Sequence, residues 1–442
     1  MSMSKQIIFI IALLITLGVF TYTVFRLVAL FKLTKKGFPV RNLGKRFNEM
    51  MKVAIGQTKI FRRPVIGLLH ALVFWGFIVI LIGSIEMVLD GILGTERILK
   101  ALGVVYDVII GAGDVFAFII AIAIVVFLAR RLFLHVKRFG GIEMSHWNHV
   151  DANIALSLIL VLMISLLGMN TFYIQHAAAA GHEVHGVFPV SQLLAPVFSS
   201  MQVDQLFLLH EINWWVHILL IFFFANYLPY SKHFHVFLSV PNVFLTRLEP
   251  LGKMDTKENV KKEVELMMDP NAAFEESDEQ EEETTRFGVL DVEDVVWKNY
   301  FDSLACTQCG RCTSVCPANI TGKKLSPRKI MMDVRDRMKE KGPKMLKKGK
   351  DYSDEKALIR NYISEEELWA CTTCNACAQE CPININQPQL ILEMRRYLVM
   401  EEAAGPGDLN AIFSNIENNG APWQYSQEDR MLWADDLYIN EK

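Results

Sequence analysis

Eight cysteines carry the clearest chemistry in this 442-residue chain, and all of them lie between residues 306 and 381. They form two copies of the spacing C-x2-C-x2-C-x3-C-P, with CTQCGRCTSVCP at 306–317 and CTTCNACAQECP at 371–382. This spacing is typical of bacterial proteins with two [4Fe–4S] clusters, in which the fourth cysteine of one run ligates the other cluster. The sequence therefore predicts two [4Fe–4S] clusters with crossed ligation.

The crossed pattern assigns four thiolates to each cluster. The first cluster is predicted to take three cysteines of the first run and the last of the second, namely Cys306, Cys309, Cys312 and Cys381. The second cluster is predicted to take the complementary set, namely Cys371, Cys374, Cys377 and Cys316. Zinc is one alternative occupant, because four cysteines also bind zinc, although usually as paired CxxC units. Eight free thiols are the other alternative.

Histidines within apolar stretches form the second candidate site. Ionisable residues inside a membrane span are costly and usually functional. His217 and His235 are 18 residues apart, so on one continuous helix they would share a face about 27 Å apart along the axis. Together with His70, such a stripe suits axial ligation of b-type haem, one or two in number. The alternative is hydrogen bonding to neighbours, and His233 is interpreted as an interfacial cation.

Long apolar runs must position these histidines. The chain is 52% hydrophobic and 21% charged, with a mean hydropathy of +0.24. This composition excludes a largely disordered chain and a small disulfide scaffold, and the net charge of −3 excludes a generally basic nucleic-acid binder. Five runs approach or exceed the roughly 20 residues that cross a bilayer. They lie at about 7–31, 65–89, 105–129, 152–172 and 211–230.

Basic residues predict the orientation of these five spans. Ten Lys or Arg and one acid, Glu49, lie between residues 32 and 63, whereas residues 139–231 contain no Lys or Arg. The positive-inside rule then places the loops 32–63 and 130–150 in the cytoplasm, together with everything after about 232. We therefore expect a multi-pass protein of the bacterial inner membrane, with its N-terminus outside and its cysteine-rich half in the cytoplasm.

A family resemblance supports the haem interpretation. The stretch Trp214–Pro241, WWVHILLIFFFANYLPYSKHFHVFLSVP, resembles the last transmembrane helix of the respiratory nitrate reductase gamma subunit. It also resembles the related cytochrome b subunits of heterodisulfide-reductase-like complexes. That family has five helices, and its second and fifth helices supply the haem ligands. The resemblance implies that His70 and His235 bind the cytoplasm-side haem and that His217 belongs to the outer-side haem.

The sequence departs from this family at one haem ligand. The nitrate reductase gamma subunit has another His in its second helix, where this chain has Gly83. The outer haem is therefore either absent or completed by His176 or His210. The resembling family also places a quinol-site lysine between helices two and three, where this chain has Lys100. The alternative is a plain interfacial lysine.

The cysteine-rich region has the pattern of helices. Ile330, Met331 and Val334 fall at helical spacing, and Ser326-Pro327 looks like an N-cap followed by proline at the first helical position. The region from about 295 to 400 resembles the iron–sulfur domains of heterodisulfide reductase, of anaerobic glycerol-3-phosphate dehydrogenase and of succinate dehydrogenase iron–sulfur subunits. We therefore predict a helical ferredoxin domain.

These elements predict an all-α fold, a five-helix transmembrane bundle followed by a cytoplasmic α-helical ferredoxin domain. Between residues 263 and 283 there are ten acidic residues and no basic one, a block that cannot bury enough apolar surface to fold. The predicted domains are a cytochrome b-like membrane domain at 1–250, an acidic linker at 251–290, the ferredoxin domain at 291–400 and a tail at 401–442 that packs on the domain or docks a partner.

The predicted function is electron transfer. No glycine-rich dinucleotide fingerprint and no nucleophile–base pair is recognisable, so no catalytic residue is predicted and the cofactors carry the chemistry. We expect the electron-transfer subunit of a multi-subunit, heterodisulfide reductase-related oxidoreductase in the lipid bilayer. It passes electrons between quinone and a cytoplasmic redox subunit, either cysteine-rich or a flavoprotein. The alternatives are a haem-free membrane-anchored ferredoxin module, an assembly scaffold or a redox-sensing regulator.

Overall fold

A computed structural model describes residues 2–254, 256–268, 286–349 and 351–438. The structure is 72% helical, and the described residues include no β-strand. Five helices are long and apolar enough to cross a membrane, by length and composition, and a helical region with the cysteine runs follows them. The predicted fold class, an all-α bundle followed by a helical ferredoxin region, is therefore confirmed.

The helices before residue 250 are α1 (Met3–Phe31), α2 (Leu43–Met50), α3 (Pro64–Leu93), α4 (Val104–Leu132), α5 (His146–Ala180), α6 (Ser191–Leu194), α7 (Val203–Tyr227) and α8 (His235–Phe244). Those after it are α9 (Glu258–Met268), α10 (Trp297–Ala305), α11 (Arg311–Ser314), α12 (Pro317–Ile320), α13 (Pro327–Lys348), the irregular turn α14 (Leu358–Asn361), α15 (Glu365–Trp369), α16 (Ala376–Glu380), α17 (Gln387–Met400), α18 (Gly407–Asn419) and α19 (Leu432–Tyr438).

The five membrane-length helices are α1, α3, α4, α5 and α7. Helix α5 packs along both α4 and α7, and α3 packs along α4. Helix α1 joins the bundle through Phe9, which is fully buried and has its ring centroid 5.9 Å from that of Trp214 and 5.7 Å from that of Phe222. Gly91 of α3 leaves the space that the Phe9 ring occupies. Small and aromatic residues thus fit α1 against two neighbours.

The last membrane helix is broken before His235. Helix α7 ends at Tyr227, and two short 3-10 turns, Leu228–Tyr230 and Lys232–Phe234, precede α8. Proline disfavours continuation of the helix because it lacks an N–H and clashes with the preceding turn, and the chain has Pro229 at this point. The expectation that His217 and His235 lie on one continuous helical face is therefore wrong.

A carboxylate on α5 fixes this break. Asp151 accepts a hydrogen bond of 2.6 Å from the Tyr227 hydroxyl and one of 3.1 Å from the Lys232 backbone N–H. The Ser231 hydroxyl accepts a further bond from the His233 N–H. The backbone groups freed by the broken helix are thus satisfied locally, as a chain near the membrane requires.

The cysteine-rich region has a helical core around α13. Ile330, Met331 and Val334 are fully buried there, as their spacing predicted. The Ser326 hydroxyl accepts from the Lys329 N–H, and Pro327 is the first helical residue, so the predicted N-cap is confirmed. Helix α13 packs against α10 and α17, which places both cysteine runs around one core.

This region packs directly on the end of the membrane bundle. Its apolar core includes Leu30 and Leu33 from the end of α1, Val53 from the following loop, and Val243 from α8. Lys35 exchanges backbone hydrogen bonds with Val295 and Trp297. The tether at about 255–288 is predicted to separate the two halves, but α9 begins inside it and residues 269–285 lie outside the described residues.

The C-terminal tail forms α18 and α19 on the surface. Trp423, Tyr425 and Trp433 keep 53%, 66% and 65% of their surface exposed. These aromatic side chains are largely exposed, and packing on the ferredoxin domain or docking of a partner stays a prediction for the tail.

Candidate iron–sulfur and haem sites

The two cysteine runs share one backbone conformation. Gln308 and Thr373, each two residues after the first cysteine of its run, have φ of 57° and 52°. Gly310 and Asn375, each just after the second cysteine, have φ of 72° and 60°. Left-handed residues in such a tight turn point neighbouring backbone N–H groups inward, an arrangement found at many iron–sulfur sites. Each loop is thus shaped to surround a negatively charged group.

Backbone donors already reach the cysteine sulfurs in both runs. The Thr373 N–H donates to the Cys371 sulfur over 3.4 Å, and the Gln308 N–H donates to the Cys306 sulfur. The N–H groups of Ile383 and Ile385 point at the Cys381 sulfur. Hydrogen bonds to sulfur are one means by which a protein sets the potential of an iron–sulfur cluster.

The eight thiols fall into two groups. Cys316 lies in one cavity with Cys371, Cys374 and Cys377. The other lining residues of this cavity are Pro317, Ala318, Leu325, Pro327, Thr372, Asn375, Pro388 and Ile391. The remaining four thiols are electrostatic neighbours of one another, with Cys381 beside Cys306 and Cys309, and Cys312 beside all three. The structure thus brings together the two sets that crossed ligation predicts, while the ligand assignment itself stays a prediction.

The thiolate form of the buried cysteines depends on a bound metal. Burial, reinforced by neighbouring thiols, raises the pKa of Cys377 and of Cys381 to about 12. A bound metal supplies the positive charge that holds such thiols deprotonated. Within the described ranges, no three His, Cys, Asp or Glu side chains converge on the position of a single metal ion.

The first cysteine run contacts the loops of the membrane half. The Arg138 guanidinium donates a hydrogen bond of 2.8 Å to the Cys309 carbonyl. A Cβ at Gly310 would overlap the Arg138 carbonyl oxygen, so glycine is required there for space as well as for its positive φ. Arg311 donates to the Lys59 carbonyl over 2.8 Å. Arg311 therefore joins the first cysteine run to the segment before α3.

A buried ion pair continues this contact. Arg328 of α13 lies 2.6 Å from the Glu143 carboxylate, and both side chains are at most 4% exposed. The same guanidinium donates to the carbonyls of Arg138 and Gly140 over 2.8 and 2.7 Å. Burial lowers the pKa of Arg138 to about 10, against the opposing effect of Cys309, so Arg138 stays cationic at neutral pH. The loop after α4 is thus held on the first run by charged groups.

His70 and His235 are neighbours at this same end of the bundle. His70 lies in the second turn of α3, and its imidazole is within electrostatic range of both His235 and Arg311. Its Nδ1 is buried and has no hydrogen-bond partner among the described residues. The Nδ1 of His235 lies 3.1 Å from the Lys232 carbonyl, the contact that orients many metal-ligating histidines through their other nitrogen. Haem ligation by this pair stays a prediction.

His217 has no second histidine beside it in the described structure. It is 2% exposed, and its Nδ1 lies 3.0 Å from both the Ser165 hydroxyl and the Leu162 carbonyl. His210 instead contacts the Met169 carbonyl over 3.0 Å. The ring of His176 lies 6.4 Å from that of His182. Neither alternative partner for an outer haem is thus brought to His217.

His233 is not the interfacial cation that its position predicted. Its Nδ1 is buried without a partner among the described residues, and its ring lies 5.5 Å from that of His235. Burial lowers its pKa to about 3, so the side chain is neutral at physiological pH. The prediction failed because the break at Pro229 turns His233 inward. The proline preceding the histidine pair was the available signal.

The opposite end of the bundle holds a polar cluster that was not predicted from the sequence. Lys100 is exposed, whereas Arg97 donates to the Tyr106 hydroxyl over 3.0 Å and lies 4.0 Å from the centre of the Tyr173 ring. Glu86, only 5% exposed, accepts from the Leu99 N–H. Two charged residues fold inward here. Arg97 lies three residues before the predicted Lys100, and Glu86 lies on α3.

Comparisons with known proteins agree with the cysteine sites. The 4Fe-4S dicluster domain family matches residues 305–385. The probable iron-sulfur-binding oxidoreductase FadF of Bacillus subtilis is 27% identical over 98% of this chain and 61% of its own length. The EtfAB:quinone oxidoreductase of Syntrophomonas wolfei is 26% identical over 98% of this chain and 60% of its own length. The chain thus spans about 60% of these curated relatives.

A third relative matches only the iron–sulfur part. It is one subunit of the ferredoxin/F420H2-dependent CoB-CoM heterodisulfide reductase of Methanosarcina acetivorans, and it is 35% identical over 23% of this chain and 48% of its own length. No solved protein structure matches the chain. The predicted resemblance to heterodisulfide reductase is confirmed, and the resemblance to the nitrate reductase gamma subunit stays a prediction. Residues 305–385 are thus similar to [4Fe–4S] dicluster domains, and five helices before them are long and apolar enough to cross a membrane.

Proposed function

We propose that this chain carries electrons between a cytoplasmic redox partner and the quinone pool, through two [4Fe–4S] clusters and one b haem. One observation supports this path above the others. Arg311, in the first cysteine run, donates hydrogen bonds to the carbonyls of Lys59 and Ile60, in the segment that leads directly into α3, the helix of His70. The proposed haem ligands and the proposed cluster ligands therefore meet at one interface.

The proposed cluster ligands are the two crossed sets. The shared cavity of Cys316 with Cys371, Cys374 and Cys377 supports the second set, and the neighbourhood of Cys381 with the first run supports the other. Each bound cluster would accept and release one electron at a time. The chain's own residues would set the potential through N–H donors to sulfur and through nearby guanidinium groups.

The proposed haem ligands are His70 and His235. When bound, the haem would supply a one-electron carrier inside the bilayer. The Lys232 carbonyl at Nδ1 of His235 supports this pair, because it leaves the other ring nitrogen of His235 available to the iron. His217 remains a candidate for a second haem by resemblance only. Its contacts with Ser165 and Leu162 suit a hydrogen-bonded buried histidine equally well.

The proposed topology puts the iron–sulfur domain in the cytoplasm of a bacterium. The basic loops 32–63 and 130–150, predicted to be cytoplasmic by their charge, both contact this domain through Lys35, Arg62 and Arg138. The domain boundaries 1–250, 251–290, 291–400 and 401–442 are part of the proposal. The core shared by α1, α8 and α13 supports treating the two folded parts as one electron-transfer unit.

The proposed exchange partners are quinone and a cytoplasmic redox subunit. The name of the Syntrophomonas wolfei relative, EtfAB:quinone oxidoreductase, supports exchange with a quinone and with a separate redox protein, which we propose to be a flavoprotein. The heterodisulfide reductase relative is one subunit of a larger enzyme, which supports a partner subunit, and a cysteine-rich one is the second candidate. No residue of this chain is proposed to be catalytic, because the carriers perform the redox steps.

An optical and analytical experiment tests this function. The protein is purified anaerobically, and its spectrum is recorded oxidised and after dithionite reduction, with haem and non-haem iron quantified per chain. We expect a b-type α band and about eight non-haem irons, as two four-iron clusters require. Iron without haem would reduce the membrane half to an anchor, which is the haem-free alternative.

A further inference from the structure

The two cysteine runs differ in their surroundings despite their shared conformation. In the first run, Cys306, Gln308 and Gly310 are buried. In the second run, the segment Thr372–Cys374 is exposed, and Cys374 is the one exposed thiol of the eight. The cavity of the second set is thus bordered by a loop on the protein surface, whereas the first set lies beneath other parts of the chain.

The membrane half covers the first run. Arg138 reaches the Cys309 carbonyl and Arg311 reaches the Lys59 carbonyl. Cys381 belongs to the same set, and the two residues before it also contact the membrane half. Arg62 donates to the Gln379 carbonyl over 2.7 Å and pairs with the Glu380 carboxylate. A separate redox protein could not approach these thiols without displacing the loops that lead into α3 and α5.

Positive charge is concentrated on the buried set. The guanidinium groups that act on it are those of Arg138, Arg311 and Arg335, together with Arg328, whose charge is offset by the buried Glu143 carboxylate. The second set faces Arg395, which donates to the carbonyls of Leu368 and Cys371. Because reduction adds negative charge, nearby cations favour the reduced form of a cluster. The charge distribution favours electron flow from the exposed set towards the buried set.

We infer that electrons are exchanged with the soluble redox partner at the second set, Cys371, Cys374, Cys377 and Cys316, and with the membrane half at the first set. This inference rests on the proposed function. The exposed loop Thr372–Asn375 carries no charged side chain, and charged residues are depleted at the cores of protein interfaces. The partner that this surface fits is a redox protein whose own cofactor lies close to an uncharged patch.

Small charged reductants can locate the entry site. Dithionite delivers electrons through the anionic sulfur dioxide radical, and reduced methyl viologen through a radical cation. In each encounter the reductant loses one electron and the oxidised cluster gains it. We would compare Thr372→Glu with Thr372→Lys, and follow anaerobic cluster bleaching in a stopped-flow instrument. Thr307, the equivalent position of the first run, receives the same two substitutions.

At low ionic strength we expect the two Thr372 variants to differ from the unmodified protein by about twofold to tenfold in the rate of cluster reduction. The change should have opposite signs for the two reductants. It should disappear at high salt, which screens the charges. The Glu variant should accelerate viologen and slow dithionite. The two Thr307 variants should be reduced by each reductant at the same rate as the unmodified protein. The inference is overturned if the Thr307 pair carries the effect, or if neither pair does.

A second measurement does not depend on the Thr307 variants. It is needed because Thr307 is half-buried, so that a charged side chain there can cause loss of the cluster. Amide hydrogen exchange of the unmodified holoprotein should be faster at 372–375 than at 307–310, because the membrane half covers the latter. Equal protection would contradict the inference. Neither experiment involves haem or quinone, so the inference can be overturned while the proposed function holds. Iron analysis shows separately whether the clusters are present.

Discussion

The guanidinium of Arg138, in the loop after α4, donates a hydrogen bond of 2.8 Å to the carbonyl of Cys309, in the first cysteine run. This bond joins the membrane half to the iron–sulfur region at a cluster loop. It also places a fixed positive charge beside the proposed first cluster, since Arg138 remains cationic despite the burial that lowers its pKa to about 10.

Replacing Arg138 by Gln should lower the reduction potential of the first cluster. A unit charge about 7 Å away contributes on the order of 2 kcal/mol at an effective dielectric constant of about 20, so we expect a shift of tens of millivolts. An electron paramagnetic resonance redox titration measures both clusters. Arg395→Gln is the matched control and should shift only the second cluster. Equal shifts of both clusters in Arg138→Gln would contradict the contact-based assignment.

Replacing Cys316 by Ser should disturb the cluster of the second run, because Cys316 lies in the cavity of Cys371, Cys374 and Cys377. Iron content should fall from about eight towards about four per chain if one four-iron cluster is lost. Cys381→Ser is the reciprocal variant and should disturb the cluster of the first run. Loss of the first-run cluster in Cys316→Ser would show that each run holds its own cluster.

His70→Ala and His235→Ala should each abolish haem binding, because both imidazoles are required for the proposed axial pair. His217→Ala should keep the full haem content if one haem is bound, and should lose about half if a second haem is present. A pyridine haemochrome assay on purified membranes measures this directly. Retention of haem in His235→Ala together with its loss in His233→Gln would assign the ligand to the neighbouring buried imidazole.

Arg337→Met should destabilise the iron–sulfur region by about 3 kcal/mol, the cost of breaking a buried ion pair. Arg337 is fully buried and lies 2.7 Å from both Asp291 and Asp354. Arg360→Met is the control, because its partners Glu365 and Glu402 are partly exposed and such pairs contribute about 0–1 kcal/mol. The temperature at which cluster absorbance is lost should fall clearly in the first variant only. Equal losses would show that the buried network does not stabilise the region.

The sequence predicted features whose causes are local. Cysteine spacing alone indicated two clusters, apolar length indicated the five membrane helices, and Ser326 with Pro327 marked the start of α13. Each of these signals depends on a few neighbouring residues. They could be recognised without knowledge of which distant segments meet.

Features that depend on long-range contacts were missed. Helical periodicity placed His233 away from the histidine stripe, because it assumed that α7 continues through Pro229. Lys100 was chosen by its position in a loop, whereas the fold turns Arg97 inward onto Tyr173. The acidic block suggested a tethered domain, yet Leu30 and Val243 share a core with α13. Pro229 was the one local signal that pointed to the helix break and so to the inward position of His233.

The proposed electron path runs between the clusters and quinone through a carrier held by His70 and His235. We would reduce the protein in nanodiscs, mix it with long-chain quinone in the same bilayer, and follow cluster reoxidation by stopped flow. The unmodified protein and His217→Ala should reoxidise alike. His70→Ala, with its clusters intact, should be slower by about tenfold or more, since the membrane carrier is missing. Equal reoxidation rates in all three would contradict the proposed path.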